Sequence, residues 1–212
     1  SSPIVVSSLT NGTAATAKVW AINAYGTSAS SDASASFSPF AIRALFGGGD
    51  SGTASKTNVI DFVAIATTGN ASDFGDLTVG RASPSALASL TRGVFASGQD
   101  ASGVTNVMDY VTIASEGNAT DFGNLLANVR SVSAMSHNTR GVFSGGYAGG
   151  FQNVIQYITI ASTGNATDFG DSTVSVYEGV GCASPTRGIS GGGVASGGDT
   201  NVIESIQINT TG

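Results

Sequence analysis

Charged and chemically reactive side chains are scarce in this sequence. Only 10% of the 212 residues are charged, and the chain has two lysines, one histidine and one cysteine. The single cysteine, Cys182, excludes an intrachain disulfide, and we interpret it as a small core residue. The single histidine, His137, excludes a histidine-rich metal site and argues against a Ser–His catalytic pair. A net charge of −6 argues against nucleic-acid binding, which needs a basic face.

Long apolar runs and helical stripes are also absent. No apolar run approaches the roughly 18 residues of a membrane-spanning helix, so no membrane insertion is expected. Instead, the 41% of residues that are hydrophobic occur in short bursts, separated by clusters of Gly, Ser, Asn and Asp, with 30 glycines in all. This alternation predicts an all-β fold.

A repeat of about 48 residues organises most of the chain, and such a period decides the architecture. An arginine-led, glycine-rich segment occurs four times, as in "RGVFASG" and "RGVFSGG". A second segment follows each copy and begins Asn-Val-Ile or Asn-Val-Met, as in "NVIDFVAIA". A third element, "GNATDFGD" in its clearest copy, follows in the first three repeats. Both faces of the second segment are largely apolar, which is typical of a strand in a sheet packed between neighbouring sheets.

About four short strands per repeat of this length predict the blades of a β-propeller. We place the blades at about residues 40–90, 91–138 and 139–185, with an incomplete fourth at 186–212. The glycine-rich strands are predicted to be innermost, because only small residues permit close backbone approach at the axis. The Asn-Val-Ile strands are predicted to lie next to them.

Two polar series and one aromatic series recur with the repeat. The first series comprises Arg43, Arg92, Arg140 and Arg187. The second comprises Asp61, Asp109 and Glu204, with Gln156 at the corresponding place in the third repeat. The aromatic series, Phe74, Phe122 and Phe169, is expected to anchor the turns. A half-buried charge requires a partner, so we predict that the arginines pair with acidic groups of the second segment or of the "DFGD" turn and brace the blades. A ring of arginines that binds an anion stays open as an alternative.

The "GNATDFGD" element has three interpretations. Its Asp-x-Gly-Asp carboxylates could contribute to a calcium site, although each copy offers about two of the six to eight oxygen ligands that calcium takes. Its Asn-Ala-Ser/Thr matches the glycosylation sequon. Its "TGN" and "DFG" favour tight turns, since Gly and Asn tolerate a positive φ. We favour the turn, keep calcium as an alternative, and expect no other cofactor or metal.

The sequence offers no catalytic constellation. Carboxylates are paired at Asp73/Asp76 and Asp168/Asp171, but the middle copy has Asn124 in the second position. A glycosidase needs two carboxylates that flank one bond, so carboxylates duplicated on successive repeats are better explained as structural. We therefore expect no enzyme activity and assign no catalytic residue.

Binding is expected in the loops between the glycine-rich and Asn-Val-Ile strands, because loops on a rigid scaffold commonly carry recognition. These loops are the least repetitive part of each repeat. In the third repeat the loop contains Tyr147 and Phe151, the best candidates for stacking on a sugar. The alternative is that both rings merely cover the blade edge.

Because of these recurring segments, the chain from residue 40 to 212 resembles the kelch-like repeat proteins of bacteriophages, in particular marine phages and cyanophages. The resemblance is carried by "TRGVFSGG", "NVIQYITIASTGNATDFGD" and their copies. It implies a kelch-like β-propeller fold and a place among virion structural or tail-fibre proteins. The double glycine of kelch repeats is present, whereas the Tyr and Trp that close an ordinary kelch blade are missing.

The first 39 residues are different and resemble the C-terminal half of a fibronectin type III-like β-sandwich. The turn Asn11–Gly12, the string "AINAYGTS" and Pro39 carry this likeness. The earlier strands of such a module are absent, so we expect either a fragment of a longer fibre protein or completion of the sandwich by another segment.

Together these observations predict a non-enzymatic structural protein of a phage virion, a tail fibre or surface decoration. Its expected location is the virion surface, outside the cell, where it adheres to a host-surface glycan or protein. Expected partners are other virion proteins and further copies of the chain, with a trimer as one arrangement. A secreted bacterial adhesion or matrix module is the main alternative, and a polysaccharide depolymerase is a weaker one.

Overall fold

The structure, a computed structural model, describes residue 9 and residues 14–36, 43–52 and 55–210. The described residues form small antiparallel sheets and contain no helix, which confirms the all-β prediction. The chain divides into two compact units, Ser1–Ile42 and Arg43–Gly212. The predicted boundary between residues 39 and 40 lies outside the described residues.

The N-terminal unit contains a hairpin of β1 (Ile22–Asn23) and β2 (Gly26–Thr27). Beyond it, three serine amides donate to carbonyls of the opposite segment at 2.8 Å, and the hydroxyls of the same serines accept from amides there. The pairs are Ser28 with Ala21, Ser31 with Val19, and Ser34 with Ala17. No described residue of this unit is buried, so hydrogen bonds rather than a core hold the hairpin.

The C-terminal unit contains four main sheets in chain order. The first sheet comprises β3 (Arg43–Asp50), β4 (Lys56–Ala64) and β5 (Ser72–Asp76). The second comprises β6 (Ser85–Ala88), β7 (Arg92–Ala96), β8 (Val107–Thr112) and β9 (Thr120–Asn124). The third comprises β10 (Ser133–His137), β11 (Arg140–Ser144), β12 (Val154–Thr159) and β13 (Thr167–Asp171). The fourth comprises β14 (Val180–Ala183), β15 (Arg187–Gly191) and β18 (Ile203–Gln207), and the short β16 (Val194–Ala195) and β17 (Gly198–Asp199) form a separate hairpin.

This strand order corrects two predictions. The glycine-rich strand is not innermost in the second, third and fourth sheets, because it pairs on one side with a preceding strand and on the other with the Asn-Val-Ile or Asn-Val-Met strand. The predicted boundaries at 90/91, 138/139 and 185/186 therefore separate strands that are hydrogen-bonded to each other, β6 from β7, β10 from β11 and β14 from β15. The preceding strands read "SALA", "SAMSH" and "VGCA". Sequences this dissimilar gave no repeat signal.

The sheets pack face to face in series, and each junction between neighbours encloses its own core. At the first junction the buried side chains are Ile60, Phe74, Leu77, Phe95 and Val111. At the second they include Val94, Met108, Phe122, Phe143, Ile158 and Ile160. At the third they are Met135, Val142, Ile155, Phe169 and Ile208. The phenylalanine of each "DFG" is thus part of the core between its own sheet and the next one.

The "GNATDFGD" element joins neighbouring sheets as well as turning the chain. The amide of Gly117 donates to the Phe74 carbonyl of the preceding sheet at 2.8 Å, and the Asp76 amide donates to Oδ1 of Asn118 at 3.1 Å. The next pair of sheets repeats both bonds, from Gly164 to Phe122 at 2.7 Å and from Asn124 to Asn165 at 3.0 Å. We call this set of bonds the inter-sheet ladder.

The glycine of "DFG" is required by the inter-sheet ladder. Gly123 has a φ of +136°, a conformation that side chains disfavour, and a Cβ there would lie 2.5 Å from the carbonyl oxygen of Gly164. Gly75 stands in the same relation to Gly117. The two neighbouring sheets can therefore approach closely enough to hydrogen-bond only because this position has no side chain.

Candidate functional site

Tyr147 and Phe151 come together with two residues that the sequence did not single out. The rings of Tyr147 and Phe151 lie 6.0 Å apart between centroids, and Tyr177 lies 5.5 Å from the first and 5.6 Å from the second. The guanidinium carbon of Arg130 is 5.1 Å from the centroid of Tyr147 and 5.9 Å from that of Tyr177. All four residues are half-buried, so each keeps part of its surface accessible. We call this group the aromatic cluster.

Backbone pairing between three loops positions the aromatic cluster, and the loop of Tyr177 is joined through the Gly146 amide, which donates to the Val176 carbonyl at 2.7 Å. The amide of Tyr147 donates to the Arg130 carbonyl at 2.9 Å, and the amide of Arg130 donates to the Tyr147 carbonyl at 3.2 Å. Tyr147 is also bridged to Phe151 across its own loop. The chain enters that loop through Gly145 and Gly146, whose φ values of +69° and +106° end β11 and turn the backbone away from the sheet. The four side chains are therefore presented on a fixed backbone.

The aromatic cluster occurs at one place among the described repeats. The bridge between Arg130 and Tyr147 corresponds to a bridge between Ala82 and Gln99 in the preceding repeat, and to one between Tyr177 and Val194 in the following repeat. The position of Phe151 is taken by Val104 in the preceding repeat. Because the backbone pairing is kept and the rings are not, packing of the repeat does not account for the rings.

Sequence reasoning missed Arg130 and Tyr177 because they lie in the loops that lead into the poorly repeated strands β10 and β14. A signal was present, since each stands three residues before such a strand, at equivalent places in "NVRSVS" and "SVYEGV". Recognising it requires the alignment of strands that the structure supplies.

The arginine series bridges sheets through carbonyls and rings rather than through acids. An Nη1 of each of the first three arginines donates to a carbonyl of the following sheet, 3.1–3.3 Å away. Each guanidinium carbon also lies 4.2–4.4 Å from the centroid of an aromatic ring of its own sheet. Donor, acceptor and ring are Arg43, Ile113 and Phe62; Arg92, Ile160 and Tyr110; and Arg140, Ile208 and Tyr157.

The predicted pairing of these arginines with the acidic series or the "DFGD" turn is wrong. Among the contacts of the described residues, only Arg43 has an acidic partner, Glu116 at 3.1 Å, which belongs to neither. The strand positions of the arginines place them opposite the following sheet, where main-chain carbonyls left free at the strand end need donors. Arg187 is exposed, and Ser205 stands where the other repeats have the ring.

The acidic series links its sheet to the preceding sheet, whereas the arginine series links its sheet to the following one. Three of its positions accept hydrogen bonds from the loop that follows the last strand of the preceding sheet. The pairs are Asp109 with the Thr78 hydroxyl at 2.5 Å, Gln156 with the Leu126 amide at 2.8 Å, and Glu204 with the Thr173 amide at 2.6 Å. An amide can do this as well as a carboxylate, which explains Gln156 in the series. Asp61 lies in the first sheet of the C-terminal unit, and the described residues of that unit form no sheet before it.

Asp109 alone of this series forms a fully buried ion pair. Its Oδ2 lies 2.8 Å from Nη1 of Arg81, both side chains are completely buried, and Nη2 of Arg81 donates to the Phe95 carbonyl at 3.2 Å. The next repeat has Val129 at the position of Arg81, and there the partner strand has Gln156. The charged pair Arg81–Asp109 of one repeat is thus replaced in the next by two uncharged residues, Val129 and Gln156.

Three further observations concern the lone cysteine, metal binding and one exposed ion pair. Cys182 is exposed, so its interpretation as a core residue is wrong. No group of three or more His, Cys, Asp or Glu side chains that could hold a metal ion is found within residues 14–36, 43–52 and 55–210. The hydrogen bond from Lys56 to Asp50, at 2.5 Å, lowers the pKa of that exposed carboxyl.

Comparison with known proteins adds no family to these observations. No protein-family model matches the chain, and no curated protein is significantly similar to it.

Across the part of the chain that the structure describes, no helix is long and apolar enough to span a membrane.

Proposed function

We propose that this chain is a non-enzymatic structural protein of a bacteriophage particle, a tail fibre or surface decoration, that binds host-surface glycans through the aromatic cluster. The observation that carries the proposal is the set of three aromatic rings and one guanidinium, Arg130, Tyr147, Phe151 and Tyr177, held together at one place in a repeated scaffold.

The chemistry of the aromatic cluster suits a sugar. Aromatic faces offer apolar area with a fixed orientation at little cost in conformational entropy, and the C–H face of a pyranose can stack on them. The tyrosine hydroxyls and the guanidinium add hydrogen-bond donors for sugar hydroxyls. Arg130 would also pair with a carboxylate, so acidic glycans are the favoured class.

The scaffold supports adhesion because the repeated links between sheets leave the cluster on a rigid base. The resemblance to kelch-like phage repeats supports the virion assignment, with a location outside the cell and other virion proteins as partners. We assign the serial sheets to blades of a kelch-like propeller and the N-terminal hairpin to part of a fibronectin type III-like module. Assembly into homo-oligomers, trimers among them, belongs to the same proposal.

Binding to a glycan array and titration of the best-binding glycans test the adhesive role. Replacing Tyr147 or Tyr177 by Ala is expected to weaken binding at least about tenfold, because a central aromatic contact commonly carries more than 1.4 kcal/mol. Tyr25→Ala is the matched control, since Tyr25 is fully exposed in the other unit. Equal affinity of the Tyr147→Ala and Tyr25→Ala proteins for every glycan bound would remove the cluster from the proposal.

Arg130→Gln separates acidic from neutral glycans. The change removes the cation and keeps a hydrogen-bond donor, so binding to carboxylated glycans should fall while binding to neutral ones is kept. A loss that is the same for both classes would show that the charge does not select the ligand.

The virion assignment has its own test. The polypeptide should copurify with phage particles and be labelled by specific antibody on their surface. Release of the free protein by uninfected bacteria would instead support the secreted adhesion module. A fall in polysaccharide viscosity during incubation would support the depolymerase.

A further inference from the structure

The outward faces of the first and fourth sheets expose large apolar side chains. On the first sheet Phe46 is 59% exposed and Ile65 is 61% exposed. On the fourth, Ile203 and Val180 are both 74% exposed and Ile189 is 38% exposed. Each internal junction of the array, in contrast, buries its apolar side chains.

The exposed residues of the first sheet are copies of buried ones. Phe46 pairs in register with Asp61, as Phe95 pairs with Asp109 and Phe143 with Gln156. Phe95 and Phe143 are buried, because Phe95 packs against Gly47 of the first sheet and Phe143 lies in one core with Val94 of the second. Ile65 likewise corresponds to Ile113, Ile160 and Ile208, which are all buried.

The fourth sheet exposes the complementary set. Ile203 pairs with Gly191 in the register in which Ile155 pairs with Ser144 and Met108 pairs with Ala96. Cys182 pairs with Ile189 as Met135 pairs with Val142. Ile155, Met108, Met135 and Val142 are buried against the following sheet, whereas their fourth-sheet counterparts are exposed.

Every internal junction therefore joins a face of the Ile203 type to a face of the Phe46 type. We propose that the exposed face of the fourth sheet binds the exposed face of the first sheet of a second copy of this chain, head to tail. Arg187 then occupies the place of the three bridging arginines, and its acceptor is the Ile65 carbonyl of the second copy, which corresponds to the carbonyls of Ile113, Ile160 and Ile208. Arg187, the donor of that hydrogen bond, and Ile65, its acceptor, are both exposed in the single chain.

This association is heterologous, because it uses two different faces of each copy. Such an interface closes into a ring when the rotation between copies permits and otherwise extends into a filament. This association specifies the homo-oligomer included in the proposed function; it rests on the packing between sheets, and its test does not involve glycan binding.

Complementation between two variants tests the interface. Phe46→Asp disables the first-sheet face and Ile203→Asp disables the fourth-sheet face, so each variant alone is expected to be monomeric in analytical ultracentrifugation. Mixed together, they should form one-to-one dimers and nothing larger, because one good face remains on each. The unchanged chain should form larger species whose fraction rises with concentration.

Two controls keep the test decisive. Leu90→Asp places a charge on an exposed leucine in the turn between β6 and β7, and it should assemble like the unchanged chain. Alkylation of the exposed Cys182 should slow as the unchanged chain is concentrated, and should not slow for Phe46→Asp. A chain that stays monomeric at its highest soluble concentration, or variants with native circular dichroism whose mixture does not dimerise, would overturn the proposal.

Discussion

Two junctions can be compared, the second (between the second and third sheets) and the third (between the third and fourth). They have the same polar contacts between sheets, but different side chains pack in the space between them. In both, an arginine donates to a carbonyl of the following sheet at 3.1 Å, Arg92 at the second junction and Arg140 at the third. In both, that arginine stacks on a tyrosine of its own sheet. The second junction is filled by the fully buried Phe143, whereas Ser190 has the same position at the third.

The smaller side chain leaves a cavity. A space of about 350 Å³ lies between the third and fourth sheets, and Met135, Ile155, Ser190 and Glu204 are among its lining residues. The polar links therefore set the spacing of the sheets whether or not the apolar side chains fill it. The comparison indicates that the links define the architecture, while the filling determines how stable each junction is.

Phe143→Ser makes the second junction like the third and is expected to have the largest effect. Removing a fully buried phenylalanine without closing the sheets should lower the free energy of unfolding by about 3–5 kcal/mol. Urea unfolding followed by circular dichroism measures the change. Phe46→Ser is the matched control at the exposed equivalent position, where a loss within about 0.5 kcal/mol is expected in dilute protein. Equal losses for the two variants would contradict the assigned packing.

The buried ion pair extends the comparison to the first junction. Arg81→Val leaves Asp109 buried without its cation and should also cost about 3–5 kcal/mol of stability. Combining Arg81→Val with Asp109→Gln reproduces the pair found at the second junction, Val129 with Gln156, so the double variant should recover most of that loss. If the double variant is no more stable in urea than Arg81→Val, the two positions are not coupled.

Ser190→Phe has the smallest expected effect and the opposite sign. It supplies the ring that the second junction has, and cavity filling of this kind commonly raises stability by about 0.5–2 kcal/mol. A rise in the urea midpoint at an unchanged m-value would show that the cavity is filled. Ser115→Phe, at an exposed position in the turn after β8, is the control and should leave the midpoint unchanged. A lower midpoint for Ser190→Phe would show that the third junction cannot accept the ring.

The sequence predicted those features that each repeat contains within itself. The all-β class, the glycine-rich strand and the Asn-Val-Ile strand follow from local composition and periodicity. The first strand of the second, third and fourth sheets was missed, because its side chains vary from Leu87 to Met135 to Cys182 while its backbone pairing stays the same.

Partners in neighbouring sheets could not be predicted either. Arg92 and the Ile160 carbonyl are separated by 68 positions in the chain, and a main-chain acceptor leaves no mark in the sequence. The aromatic cluster was predicted in part, since Tyr147 and Phe151 share one loop. Arg130 and Tyr177 come from two other loops, which only the packing of successive sheets brings together.

The inter-sheet ladder has a consequence for how the protein opens. Because the amides of Gly117 and Gly164 donate to carbonyls of the preceding sheet, unfolding of one sheet strips hydrogen bonds from its neighbour. The cooperative unit is then larger than a single sheet, and local opening is expected to begin at the two ends of the array. The Gly164 amide, whose acceptor lies in the second sheet, should therefore exchange with deuterium as slowly as the core strands although it lies in a loop. The Gly117 amide, whose acceptor lies in the first sheet, should exchange faster.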